Sequence, residues 1–304
     1  MKTVIVGAGA LGSLFAYLLH RAGAEVSLVE KNSAIVKAVQ SAGLHVEGIS
    51  GVEIVPVPIA AVSNGKSHPE LVLSLVKSHD APAAAEAIRP ILGPRTVVVS
   101  LQNGIGNETT LADALGCERI VAGTTSIGAA LLAPGHVLHT SWGDTTLAAK
   151  DPNRRDRAEM VASFFSRHGI KTSVADNLDS LLWGRVLIKI GVGAITALTR
   201  IRNGKVLEIE SAWELSKSAV REAEAIVRQA GIDLPYYNPV SQVEKLLSRT
   251  ADNLSSMQQD IYKGRRSEVE AINGAVVRLA ETLGMQAPVN LALLRLVETL
   301  EAAK

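Results

Sequence analysis

The 304-residue chain has a single cysteine, Cys117, so no disulfide can close within it and no second thiol is present for a thiolate metal site. None of its seven histidines forms an H-x-x-x-H pair, and on that spacing no metal site is expected. Aromatic residues make up only 3% of a composition that is 47% hydrophobic, so the core has to be assembled from Ala, Val, Leu and Ile. Neither charge sign prevails: 31 Lys and Arg against 30 Asp and Glu leave a net charge of +1, which gives no footprint for nucleic acid. The pairs Arg154-Arg155 and Arg265-Arg266 read as solvated helix faces. Internal repeats and low-complexity segments are missing as well. The uncharged stretch Val4 to Leu19, followed by Ala22-Gly23-Ala24, imitates a signal peptide but falls short of the ~20 residues that span a bilayer. It reads as the first strand and helix of a cytoplasmic domain with no membrane partner, in the reducing compartment that the lone cysteine suits.

What is present begins at residue 4. Val4-Ile5-Val6 runs straight into Gly7-Ala8-Gly9-Ala10-Leu11-Gly12, the pattern G-x-G-x-x-G between an apolar strand and a helix. Gly7 makes the tight turn, Gly9 lets the backbone approach a pyrophosphate, and Gly12 lets the helix pack close to its strand. The helix N-terminus then faces the phosphate charge. A second strand, Glu25 to Val29, ends at Glu30 and Lys31, near the ~20-residue interval at which an acidic side chain meets a ribose 2′-hydroxyl.

The N-terminal half alternates strand-like and helix-like pieces, as in a parallel sheet wound with helices. Leu71 to Val76 and Thr96 to Leu101 are apolar runs suited to strands buried on both faces, with a helix from Ala81 to Ile91 between them. Arg119 to Ala122 gives another strand. Gly135 to His139 and Thr145 to Ala148 alternate like an antiparallel edge closing that sheet. Ligands of such sheets bind beyond the carboxyl ends of the strands, a rim that would gather Gly7 to Gly12, Lys77, Asn103 and a turn at Gly123-Thr124-Thr125. From about residue 177 helical periodicity takes over, in 178–197, 206–230, 239–253 and 266–283. The expected division is residues 1–172 for a dinucleotide-binding domain and 173–304 for a helical substrate and catalytic domain.

Four segments are more specific than the glycine turn: Asn103-Gly104-Ile105-Gly106; Leu182-Trp183 with Ile195-Thr196-Ala197-Leu198 and Asn203-Gly204; Asn253 to Ile261; and Arg265 to Gly274. Together with Gly7 to Gly12, in this order and spacing, the chain resembles the ketopantoate reductase (2-dehydropantoate 2-reductase) family over nearly its whole length. The resemblance implies an α/β fold, a Rossmann-type doubly wound sheet followed by an all-α domain, with the active site in the cleft between them. It implies reduction of the ketone of 2-dehydropantoate to (R)-pantoate, for pantothenate and coenzyme A synthesis, by a nicotinamide cofactor, NADP on family grounds with NAD open. By position, the family's glutamate is Glu268, its serine Ser256 and its substrate-binding asparagines Asn103 and Asn203. Asn103 also borders the cofactor, and Ala129 falls at a further cofactor contact. Relatives form dimers, and a homodimer through the apolar helices stays open. Against these roles, Ser256 also reads as a helix-surface serine, Glu268 as an exposed helical acid and Asn103 as a helix N-cap.

The family's proton-donating lysine should follow Trp183 by two residues, where this chain has Arg185. One turn later, in place of a family asparagine, stands Lys189, and a further asparagine is replaced by Gly193. Arginine holds its proton too tightly to be a neutral-pH acid, yet it stabilises an oxyanion well. Residues 185 and 189 share a helix face. The expectation is therefore an exchange of duties: Lys189 as general acid, Arg185 binding the carboxylate or polarising the carbonyl. Two other readings stay open, a D-2-hydroxyacid dehydrogenase using NAD on the same scaffold, and a non-catalytic dinucleotide sensor. Glu30 favours NADH, since a carboxylate there repels a 2′-phosphate, while Lys31 pulls towards NADPH.

Overall fold

The computed structural model describes residues 1–61 and 68–303, which divide into two compact units. The first comprises residues 1–102 and 107–178, the second 103–106 and 179–304.

The first unit holds twelve strands among the described residues: β1 Thr3–Val6, β2 Val26–Val29, β3 Leu44–Gly48, β4 Glu53–Val55, β5 Ile59–Ala60, β6 Leu71–Ser74, β7 Val97–Ser100, β8 Ile120–Thr125, β9 Gly128–Ala133, β10 His136–Ser141, β11 Thr145–Ala149 and β12 Thr172–Val174. Five helices accompany them: α1 Ala10–Arg21, α2 Ser33–Ala42, α3 Ala81–Ile88, α4 Asn107–Leu115 and α5 Arg155–Arg167. The main sheet runs β12-β11-β8-β7-β6-β1-β2-β5. Its central strands β1, β6 and β7 are buried at every residue, because parallel strands covered on both faces have no solvent side on which to place polar residues. β1 has β2 on one flank and β6 on the other, both parallel. The chain order reverses there, and such switch points open a crevice beyond the strand ends.

The alternating segments separate. β11 closes the main sheet antiparallel to β8, as expected, and carries β12 beyond it. β10 does not join that sheet. It pairs parallel with β3 and antiparallel with β9 in a second sheet of order β4-β3-β10-β9. Alternation reports burial on one face and is silent about which sheet supplies that face, hence the difference. Gly123-Thr124-Thr125, expected as a turn, is the end of β8, paired with β11 at Thr125↔Thr145 and Gly123↔Leu147. Since β12 pairs with β11, the first unit continues past residue 172 and ends at Leu178.

The second unit is helical: α6 Leu178–Ile190, α7 Gly193–Thr199, α8 Lys205–Glu208, α9 Glu210–Gln229, α10 Pro239–Arg249, α11 Ser256–Tyr262, α12 Val269–Thr282 and α13 Pro288–Ala302. The single helix expected over 178–197 is thus two, with Gly191 and Val192 between them, and that over 206–230 is also split. α13 begins at a proline in the first turn, which needs no amide partner, and Glu222 of α9 caps it. The Glu222 carboxylate accepts from Val289 N at 2.9 Å, Asn290 N at 2.8 Å and Asn290 Nδ2 at 2.9 Å. The apolar stretch Leu178–Thr199 is long enough to cross a membrane by length and composition, but it is mostly buried and forms the core of this unit, through Trp183, Val186, Leu187, Ile190 and Ile195.

Candidate functional site

The glycine turn is fixed by sterics that only these residues satisfy. Gly7 has φ +100°, and a Cβ on it would lie 2.9 Å from Val76 Cγ1 and 3.0 Å from the Leu75 backbone, so the turns after β1 and β6 touch at the switch point. A Cβ on Gly12 would lie 1.9 Å from Gly7 O, which forbids any side chain where α1 leaves the turn. Gly9 differs. It precedes the first residue of α1, and a Cβ on it would enter open space with no protein atom within 4 Å. That open side lies at the helix N-terminus, whose first amides have no intrahelical acceptor and no acidic side chain in the first turn. Protein packing therefore explains Gly7 and Gly12, while the open side of Gly9 leaves room at the helix N-terminus of the kind that a pyrophosphate needs.

The end of β2 is tied to this turn. Glu30 Oε2 accepts from Ala8 N at 2.7 Å, and its Oε1 accepts from Asn32 N at 2.8 Å. A carboxylate has about four acceptor positions, so the two amides orient Glu30 and leave capacity for a hydroxyl. Lys31 reaches Asp80 at 2.6 Å, in the 3₁₀ turn that follows Lys77. Lys77 itself is half-buried in the loop after β6. Ala129 lies on β9, opposite His139 in the second sheet, and packs against the same core as α1.

The remaining candidates are in the helical unit. Asn103 Nδ2 donates to Glu268 Oε2 at 2.9 Å, across 165 residues of sequence. Glu268 is buried at the residue preceding α12 and is not the exposed helical acid that the bare sequence allows. Asn103 is not an N-cap of α4, which starts at Asn107. The reason is backbone geometry: Ile105 N donates to Ala271 O at 2.9 Å, and Gly104, at φ +89°, sits where a Cβ would be 2.4 Å from Ala271 Cβ. The Asn103–Gly106 segment is thereby stapled onto α12.

Ser256 is exposed at the first position of α11. The cap is its neighbour Ser255, which accepts from Gln258 N at 3.1 Å and from Thr196 Oγ1 at 2.7 Å, so Ser256 is not committed to capping. Asn203 is buried and donates through Nδ2 to Thr250 Oγ1 at 2.9 Å, while its buried Oδ1 has no hydrogen-bond partner.

Arg185 and Lys189 both lie on α6, one turn apart and partly buried. Desolvation is the main influence on Arg185 and lowers its proton affinity; Tyr236 opposes this and Arg249 adds to it. Tyr236, which the sequence reading passed over, donates its hydroxyl to Gly184 O, and its phenol is pushed well above its usual range, chiefly by burial and then by Glu224. In a chain with four tyrosines, the Tyr236-Tyr237 pair was the available signal. At Gly193, where the resemblance implies an asparagine, a Cβ would meet the buried Met257 at 3.3 Å. The Met257 thioether occupies the space a longer side chain would take.

Comparison with known proteins agrees with both halves. Residues 3–152 match the model described as "Ketopantoate reductase PanE/ApbA", and residues 177–301 match its C-terminal counterpart. A 2-dehydropantoate 2-reductase of Archaeoglobus fulgidus is 32% identical over 301 residues, covering 99% of this chain and 98% of that protein. One from Halobacterium salinarum is 34% identical over 291 residues, 95% of each chain. Among solved structures, a PanE/ApbA family ketopantoate reductase from Ralstonia eutropha JMP134 is 30% identical with a TM-score of 0.91, covering 100% of this chain and 99% of that one. D-mandelate dehydrogenase in a ternary structure with NADH and anilino(oxo)acetate, 24% identical, shares the fold with a TM-score of 0.96. With its α/β and helical units in the same order and both family models matched, the chain belongs to the ketopantoate reductase family.

Proposed function

We propose that this protein reduces 2-dehydropantoate to (R)-pantoate with a reduced nicotinamide dinucleotide. The observation that carries the reading is the Asn103–Glu268 hydrogen bond, which fixes a buried carboxylate beside an amide at the two positions where the family handles its substrate. The Gly7 to Gly12 turn would hold the dinucleotide, which when bound would supply the hydride for the carbonyl carbon. The chain's own residues do the rest. Glu268 accepts the substrate hydroxyl, and Asn103, Asn203 and Ser256 offer hydrogen bonds that carry no competing charge. Arg185, a guanidinium kept cationic at neutral pH, binds the carboxylate or polarises the carbonyl oxygen. Lys189 gives that oxygen its proton, a role suited to an ammonium and not to a guanidinium.

Steady-state assays test this with 2-dehydropantoate and with branched 2-keto acids that lack its hydroxyl. Turnover of the first and strong rejection of the others is expected, because a site built for a hydroxyl is left with unpaired polar groups by an analogue without one. Preferred turnover of bulkier keto acids would assign a 2-hydroxyacid dehydrogenase instead. Dinucleotide binding with no keto acid turnover would assign a sensor.

For the dinucleotide we propose NADH over NADPH. Glu30 is oriented by two backbone amides at the ribose end of the crevice, and its basic neighbour Lys31 is engaged by Asp80. A 2′-phosphate would meet two carboxylates at that corner, whereas a free 2′-hydroxyl meets an acceptor. A lower KM for NADH is expected, and a lower KM for NADPH would reverse the assignment.

A further inference from the structure

The four-stranded sheet of the first unit carries a cluster that the proposed reduction does not use. On β3, Leu44 and Val46 face the core while His45 and Glu47 share the opposite face, two residues apart. The parallel register of β10 on β3 sets His136 directly beside His45 and Leu138 beside Glu47. The two imidazoles stack at 3.9 Å with an interplanar angle of 7°. Glu47 Oε2 stands 3.1 Å from His136 Nε2, yet that buried nitrogen makes no hydrogen bond. One nitrogen or oxygen from each of the three residues lies within 4.8 Å of the other two.

From this arrangement we propose that His45, Glu47 and His136 form a binding site for a divalent transition metal of the zinc type, with water completing the shell. Two imidazoles and one carboxylate are a donor set that zinc accepts in tetrahedral geometry, whereas magnesium and calcium take oxygen donors. With bonds of ~2.0–2.2 Å, neighbouring ligand atoms on a tetrahedral ion stand about 3.3–3.5 Å apart. The His136–Glu47 separation of 3.1 Å is within a few tenths of an ångström of such an edge, and rotation of the stacked His45 ring would bring in the third ligand. Ile54, opposite His45 on β4, and Leu138 flank the cluster and give it an apolar rim. Histidine spacing along the chain hides the site, because the ligands converge through strand pairing across some ninety positions. The ion would clip β3 to β10, so its effect is on the stability of the first unit and is independent of the reduction.

Isothermal titration of ZnCl₂ into the full-length, tag-free, chelator-stripped protein tests the proposal, with thermal melting as the second readout. One equivalent of zinc and a raised Tm are expected. His136→Ala and Glu47→Gln should each weaken zinc binding by at least roughly tenfold and abolish the Tm rise. Cys117→Ser and His20→Gln should leave both unchanged. Glu47→Gln preserves shape while removing the charge and one acceptor oxygen, so the test survives if His136→Ala folds poorly. No heat of zinc binding to the unmodified chain, or binding that neither ligand variant weakens, overturns the proposal.

Discussion

The two units solve different problems with different parts of the chain. In the first, the glycine turn is built from backbone, and two of its positions are dictated by what surrounds them: Gly12 by the Gly7 carbonyl, Gly7 by Leu75 and Val76. In the second, the candidate chemistry resides in side chains placed on helices, where a residue can be exchanged without disturbing the path of the chain. Such a division accommodates an intact glycine pattern beside Arg185, Lys189 and Gly193, which stand where the resemblance implies a lysine and two asparagines. Backbone sites tolerate little substitution, whereas helix-borne sites leave room for a function to move by one turn.

The sharpest way to break this contrast lies within the turn itself. Gly12→Ala should destabilise the first unit by about 1–3 kcal/mol or more through overpacking and remove measurable dinucleotide binding. Gly9→Ala, with open space around its Cβ, should keep the Tm and lose affinity only. Melting curves with NADH fluorescence titration separate the two, and equal loss of Tm would remove the distinction between them. Next in size, Lys189→Ala should lower kcat by about 10²–10⁴ while leaving dinucleotide affinity intact. Arg185→Ala should act mainly on KM for the keto acid. If kcat survives the lysine change, proton transfer has not moved to residue 189.

Glu268→Gln removes the charge from the hydrogen bond with Asn103, and kcat/KM should fall roughly ten- to hundredfold, the worth of one charge-assisted bond. Glu222→Ala should cost about 2 kcal/mol of stability, read by denaturant unfolding, with unchanged kinetics, because it caps α13 and touches no proposed site. The smallest effect belongs to acid stability. His139 is buried beside Trp142, and desolvation lowers its proton affinity, with the Ser141 carbonyl opposing. The unfolded chain therefore takes up a proton that the native state refuses, and stability should fall as the pH drops through about 6.5 towards the lowered native value. His139→Gln should flatten that limb of a Tm-against-pH curve.

Much of this was legible in the sequence, for physical reasons. The parallel core was readable because strands buried on both faces must be continuously apolar, as β6 and β7 are. The glycine turn was readable because sterics leave glycine few substitutes. Less was legible where partners are far apart in the chain. The alternation of β10 is legible in its residues, but its place in the second sheet and not at the edge of the main one is not, since pairing depends on tertiary contacts. The break between α6 and α7 and the short helix α11 give only weak periodicity and are not legible in the sequence, and the fifteen-residue α13 is a further helix beyond the four expected. For Glu268 the sequence leaves two readings open, the family's glutamate and an exposed helical acid, and its burial beside Asn103 comes only with the fold, where the Ile105–Ala271 backbone bond holds the loop.

By itself, the sequence determined the alternation of strands and helices ahead of a helical half, the glycine turn, and the residue types available for proton chemistry. These follow from local sterics, periodicity and side-chain pKa, which act over a few residues. Only the tertiary structure decided that Glu30 is held by the turn it follows, that Lys31 is answered by Asp80, and that His45, Glu47 and His136 meet. Those outcomes depend on strand register and on loops returning from distant positions. Such geometry comes from packing the whole chain at once and is written in no single segment of it.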